Sequence, residues 1–153
     1  GGALVLGEWG ANPRDESSAA YMRASRETFN QHLMGEAFWL WKENCQGFWG
    51  LYDYIEEDDS WSFNEVAAKE FGTPTVHAVP GVFKSLSFDY EAIRLTAEVE
   101  ATEAGWSQIF LPARWYPDGP KVTLNGDLVE LSPLSHDRYE VLIPEGSHTL
   151  VAE

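Results

Sequence analysis

The chain has one cysteine, few basic residues and no long apolar run, and each shortage excludes something. A single thiol, Cys45, cannot close an internal disulfide, although it leaves open a bridge to another chain or to another part of a larger protein. Ten Lys plus Arg against twenty-five Asp plus Glu give a formal charge of -15 in 153 residues, so polyanions are repelled before contact. Nucleic acid and anionic membrane surfaces are therefore poor charge-driven partners. The longest apolar stretches, such as Ala3 to Leu6 and Ala37 to Trp41, fall far short of the roughly 20 residues that span a bilayer, so no transmembrane segment is expected. The start of the chain has no basic, apolar secretory leader, and its organisation leads us to expect that the natural N-terminus lies further upstream. The four histidines, His32, His77, His136 and His148, show no metal-ligand spacing, so neither a metal nor a cofactor is expected.

What the chain has in abundance is tryptophan, with seven indoles at Trp9, Trp39, Trp41, Trp49, Trp61, Trp106 and Trp115. An indole offers a flat apolar face with a polar edge, which suits a sugar ring but equally fills a core, so position has to decide.

The first half reads as alternating strands and helices. Gly1 to Leu6 is a short apolar run without alternation, the pattern of a strand buried on both faces of a parallel sheet. Asn12-Pro13 signals a helix entrance, a helical period runs from Glu16 to Leu33 through Tyr21, Ala24, Thr28 and Phe29, and Gly35 is placed to close it. Glu36 to Trp41 reads as a second buried strand. After a long loop, in which Glu56-Glu57-Asp58-Asp59 is a solvated acidic run and Asp53 fixes the loop through backbone hydrogen bonds, Ser62 and Glu65 form a capping box. The helix that follows puts Val66, Ala67 and Phe71 on an apolar face and ends at Gly72 and Pro74. Two βα units of parallel type cannot make a stable domain alone, because their strand edges and apolar faces need more sheet to cover them. A TIM barrel uses about 250 residues on eight such units, so residues 1–75 have the length of its last two, although a doubly wound sheet fits that length too.

From about Val79 the grammar changes. Ala92 to Glu100 alternates, with Ile93, Leu95, Ala97 and Val99 on one face. Asn125-Gly126 sits between two short apolar runs as a type I′ hairpin signal. Further short strands are predicted at Phe83 to Phe88, Gln108 to Leu111, Tyr139 to Ile143 and Thr149 to Ala152. Residues 76–153 thus read as an antiparallel β-sandwich, small enough to lean on a neighbouring domain, with Trp115 and Tyr116 packing against it or forming an exposed aromatic patch for lipid. The fold class is α/β plus all-β: two βα units over residues 1–75, with the length of the last two units of a (β/α)8 barrel or of part of a doubly wound sheet, followed by the sandwich.

Within the first half, Gly7-Glu8-Trp9-Gly10 puts a carboxylate at the C-terminal end of a strand, where barrels and open α/β sheets build their sites. In isolation such a Glu can equally reach solvent or pair with a cation. In the next strand Trp39 and Trp41 alternate onto one side, which in a barrel can be the interior. Cys45 has no evident base beside it, so a buried or disulfide-forming role is favoured over nucleophilic chemistry.

These strings carry a resemblance. Gly-Glu-Trp-Gly after an apolar strand, then Phe38-Trp39-Leu40-Trp41-Lys42-Glu43, Phe48 to Asp53, His77 to Gly81 entering Leu86 to Asp89, and above all Ile109 to Gly119, resemble the C-terminal part of the family 5 glycoside hydrolases, in their endoglycosylceramidase-like branch. The likeness runs nearly end to end, whereas Pro80 and the acidic stretch Tyr54 to Trp61 match no pattern of that family. It implies a retaining hydrolase of the bond between a glycan and ceramide, with Glu8 as nucleophile at the end of barrel strand seven. Trp39 is implied as the sugar platform after strand eight, with Trp41 the alternative and Lys42 a further glycan contact. The acid/base carboxyl would come from an earlier barrel strand, carried by the N-terminal portion of the same enzyme as a separate chain or as upstream sequence. Asn64-Glu65, in a helix cap, is a chance match to that strand's Asn-Glu pair. A glycolipid substrate and a secreted or extracellular location follow from the same resemblance. A different reading makes the sandwich a non-catalytic carbohydrate- or lipid-binding module with a barrel remnant attached.

Overall fold

The structure is a computed structural model and describes residues 4–12, 15–42 and 49–153; Pro13 and Cys45 lie outside the described residues. The chain divides into two compact units, Gly1–Gly72 and Thr73–Glu153.

In the first unit, β1 (Val5–Trp9) and β2 (Gly35–Phe38) pair in parallel on either side of α1 (Glu16–Gln31), the crossover that parallel neighbours require. Asp15, rather than Asn12, is the N-cap of α1, because its carboxylate accepts the Ser17 amide at 2.9 Å. The helix does not end on Gly35. Met34 N–H returns to Phe29 and Leu33 N–H to Asn30, a Schellman closure that puts Leu33 in the left-handed region at φ 50°, and Gly35 is released to begin β2. The buried stripe of α1 is also turned from the expected one: Met22 is fully buried and Phe29 packs beside it, while Tyr21 is exposed. Trp9, Ala11 and Met22 form a small core with Leu6, Phe29, Phe38 and Phe71 packed on it. The expected burial of both strand faces is not found. One helix layer covers one face, and Val5 remains 68% exposed.

The acidic stretch is not an open loop but the turn of a hairpin. β3 (Tyr52–Ile55) and β4 (Ser60–Phe63) pair antiparallel with Glu56 to Asp59 exposed between them, Asp59 taking φ 53°. Ser62 is consumed in that ladder opposite Asp53, so Asn64 caps α2 (Glu65–Phe71), its Oδ1 accepting Ala67 N–H at 3.0 Å. Ala67 and Ala68 are buried while Val66 is exposed. Glu70, also buried, takes a bidentate ion pair from Arg23 of α1.

The second unit is an antiparallel β-sandwich. It comprises β5 (Thr75–Ala78), β6 (Gly81–Asp89), β7 (Arg94–Ala101), β8 (Gly105–Phe110), β9 (Val122–Leu124), β10 (Asp127–Leu128), β11 (Ser132–Ser135), β12 (Arg138–Ile143) and β13 (Gly146–Ala152). A five-stranded sheet runs β10-β9-β13-β7-β6 and a four-stranded one β11-β12-β8-β5. The alternation of β7 places Leu95, Ala97, Val99 and Ala101 inside; Ile93 drops out of the strand into a turn at φ 51°. Asn125 and Gly126, at φ 54° and 91°, turn β9 into β10. Strands β5 and β11 are additional to those read from the sequence. Trp115 and Tyr116 are neither a lipid patch nor a docking face; both are buried in the sandwich core, where the Trp115 ring meets Phe88 at 5.1 Å and Tyr90 at 5.8 Å. Among the described residues no helix is long and apolar enough to cross a membrane.

Candidate functional site

The C-terminal ends of β1 and β2 place Glu8 and Trp39 at one end of the two-stranded sheet. In the register Leu6 faces Glu36 and Trp9 faces Phe38, so Gly7 and Glu8 of β1 together oppose the single Ala37, a β-bulge. Bulges re-aim side chains, and here Glu8 stands exposed while the next residue, Trp9, is buried. The Trp9 indole is fixed edge-on by Phe29 at 5.1 Å and Phe38 at 5.7 Å, with the Arg26 guanidinium 5.4 Å from its ring centre. Arg26 also faces Glu36, whose carboxyl burial pushes above its ordinary range against the pull of that cation.

The next rung joins the two strand ends. Trp39 N–H donates to the Trp9 carbonyl at 2.7 Å, and the Trp39–Leu40 peptide is cis. Gly10 is required at this crossing, because a Cβ there would stand 2.2 Å from the Trp39 carbonyl oxygen. Trp39 is thus tied by its backbone to the residue following Glu8, with its own side chain 42% exposed.

Trp41 and Lys42 are carried elsewhere. Because β2 ends at Phe38, strand alternation does not extend to Trp41, whose carbonyl accepts Leu51 N–H and whose ring lies 5.2 Å from Tyr52. Lys42 bridges Tyr52 in parallel, and its ammonium sits 4.2 Å from the Trp61 ring centre and 5.9 Å from that of Tyr52. Behind them the hairpin carries an aromatic ladder, Tyr52 on Phe63 and Tyr54 on Trp61, each pair 5.1 Å apart, with the Tyr54 hydroxyl donating to Asp59. The sequence reading missed this ladder, although the signal is there: aromatics two apart on either side of four acidic residues. Among the described residues no group of His, Cys, Asp and Glu could hold a metal ion. The arrangement offers an exposed carboxylate and one exposed indole, Trp39, at the same sheet end, and separately an ammonium held over aromatic rings, groups of the kind that bind a hydroxylated ring.

Residues 74–150, half of the chain, match the glycoside hydrolase family 5 C-terminal domain. The chain belongs to that family. The family 5 match lies wholly within the sandwich unit, and solved structures extend the likeness of fold through both units. Endo-glycoceramidase II from Rhodococcus sp. superposes with a TM-score of 0.70 at 21% identity, covering 98% of this chain and 33% of that one. An endogalactoceramidase gives 0.69 at 18% identity, with 98% and 33% covered. Sterylglucosidase 1 of Cryptococcus neoformans gives 0.65 at 15% identity, with 97% and 28% covered. The chain therefore spans about a third of the length of these structures. No curated protein sequence matches it.

Proposed function

We propose that this family 5 chain is the C-terminal segment of a retaining β-glycosidase that hydrolyses the sugar–ceramide linkage of glycosphingolipids. In this reading residues 1–75 are the last two βα units of a (β/α)8 barrel, and Glu8 is the nucleophile at the end of the seventh strand. The observation that carries it is the bulged strand end, where exposed Glu8 is followed by a residue whose carbonyl holds the Trp39 backbone. The exposed apolar residue Val5 on a two-stranded parallel sheet supports further barrel strands beside it. The names of the similar structures support a glycolipid with a greasy aglycone.

The chemistry divides between two carboxyls. Retention needs them about 5 to 5.5 Å apart, one forming a glycosyl ester and the other protonating the leaving oxygen and then activating water. Glu8 attacks the anomeric carbon as the leaving oxygen departs with the partner's proton; water then cleaves the ester and returns that proton. The N-terminal portion of the same enzyme supplies the partner. Trp39 stacks the sugar, Trp41 is the alternative platform, and Lys42 donates to glycan hydroxyls from its seat on Trp61. The 153-residue chain by itself is expected to be inactive. The test is covalent trapping in the complete enzyme: a 2-deoxy-2-fluoro glycoside should label the peptide bearing Glu8, and Glu8→Gln should lower kcat at least about a thousandfold. Labelling of another carboxylate, or full turnover by Glu8→Gln, would sink the assignment.

A further inference from the structure

The outer face of the four-stranded sheet of the sandwich carries chemistry that neither the fold nor the reading above uses. Along β8 the side chains alternate, with Ser107 and Ile109 buried and Trp106 and Gln108 exposed. On β12 Val141 and Ile143 are buried while Leu142 is exposed. The register pairs these residues directly, Trp106 across from Leu142 and Gln108 across from Glu140. Trp106 is 54% and Leu142 50% exposed, so an indole and an isobutyl group lie side by side on a wet sheet face. Two residues along, about 6.8 Å away, Gln108 donates to Glu140 at 3.5 Å. The backbone before Trp106 is held tightly, because a Cβ on Gly105 would meet Pro80 at 2.7 Å.

We propose that this face binds a neutral pyranose ring, stacked on Trp106 and hydrogen-bonded by Gln108 and Glu140. The size of the patch favours this occupant. Half an indole and half a leucine expose about 200 Å² together, which is roughly the footprint of one sugar ring and far below the roughly 800 Å² a stable protein partner covers. Its polar row favours it as well. An acyl surface would strip water from the Glu140 carboxylate and return nothing, whereas a sugar hydroxyl donates to that carboxylate and accepts the second Gln108 N–H. The charge of -15 disfavours an anionic sugar or lipid headgroup. A pyranose presents axial C–H groups to the ring and equatorial hydroxyls to its edge, and one strand period separates the indole from the amide–carboxylate pair that would receive them.

The experiment is ¹⁹F NMR of the complete enzyme labelled with 5-fluorotryptophan, with lactose as the probe, the lines of Trp106, Trp39 and Trp41 being assigned by their loss in Trp106→Phe, Trp39→Phe and Trp41→Phe. Lactose should move the Trp106 line saturably, and Gln108→Ala should weaken that binding about tenfold, the loss of one to two hydrogen bonds. Movement of the lines of Trp39 or Trp41 reports on the proposed hydrolase site instead, so the two readings can fail separately. The inference is overturned if the Trp106 line ignores lactose, or if it responds only to neutral phosphatidylcholine vesicles. A change that follows protein concentration alone, marking a second copy as the occupant, overturns it too.

Discussion

A side chain on Gly10 would have its Cβ 2.2 Å from the carbonyl oxygen of Trp39, so these two residues cross at a spacing that only glycine permits. The contact is backbone to Cβ, and no rotamer change can relieve it. Gly10→Ala should therefore push Trp39 away from the end of β1, costing about 1–3 kcal/mol and, in the complete enzyme, raising KM for the glycolipid. Gly7→Ala is the control, because nothing lies within 4 Å of its Cβ position. Urea unfolding and glycosidase kinetics of the two variants check this; equal effects of both would mean that the crossing does not position Trp39.

The ion pair between α1 and α2 is a second point where the first unit is vulnerable. Glu70 is 6% exposed and receives both Arg23 nitrogens, Nε at 2.9 Å from Oε2. Removing the arginine leaves a buried carboxylate, which is costly, but the Arg23 side chain is 42% exposed and solvent screens part of the interaction. Arg23→Ala should destabilise the chain by about 1–2 kcal/mol. A second change, Glu70→Met, should recover most of that loss, as replacement of a buried pair by apolar side chains usually does. A double-mutant cycle by urea denaturation measures both, and additive single losses would argue against coupling.

How far the sequence disclosed all this varied with the range of the interaction. The inward set of β7 is legible because one face of a pleat is buried, and the Asn125-Gly126 turn because two consecutive positive φ angles select those residue types. The N-cap of α2 is misread because Ser62 fits the capping pattern as well as Asn64, and only the pairing of Ser62 with Asp53 removes it from contention. In α1 the period is right and its phase is not: tertiary packing selects Met22 over Tyr21, two residues of similar apolar weight. For the candidate site, the neighbourhood of Glu8 and Trp39 follows from a parallel βαβ unit and was readable. The seat of Lys42 on Trp61 depends on where a hairpin nineteen positions away folds back, which no local pattern encodes.

The sandwich should lose stability in mild acid through His77. His77 keeps part of its surface in solvent, and partial desolvation of its ring, reinforced by the Arg138 guanidinium, holds the imidazole below its ordinary value, so the folded state resists protonation more than the unfolded chain does. Between the lowered folded value and the unfolded value near 6.5 the unfolded chain binds more protons, and stability therefore rises with pH across that window. Below it the penalty is complete; above it the penalty vanishes. His77→Gln should flatten this part of the profile, so that its melting temperature relative to the native chain is higher at about pH 5 than at about pH 8. Parallel profiles for the two proteins would show that His77 titrates alike in both states.

The β9–β10 turn separates conformational from hydrogen-bonding contributions at adjacent residues. Gly126 sits at φ 91° with nothing within 4 Å of its Cβ position, so a side chain there meets backbone strain and no clash. Gly126→Ala should cost about 1–2 kcal/mol from that strain alone. Asn125, at φ 54°, does more than turn the chain: its Oδ1 accepts Thr149 N–H at 2.9 Å and its Nδ2 lies 3.0 Å from His148 Nδ1, fastening the turn to β13. Asn125→Gly keeps the left-handed backbone and deletes those bonds, so its cost of about 1 kcal/mol measures the fastening. Asn125→Asp retains the acceptor for Thr149 and should recover about half of the loss. Thermal unfolding of the three variants resolves the two terms; a neutral Asn125→Gly would mean that solvent replaces the side chain without loss and that the turn is held by its backbone alone.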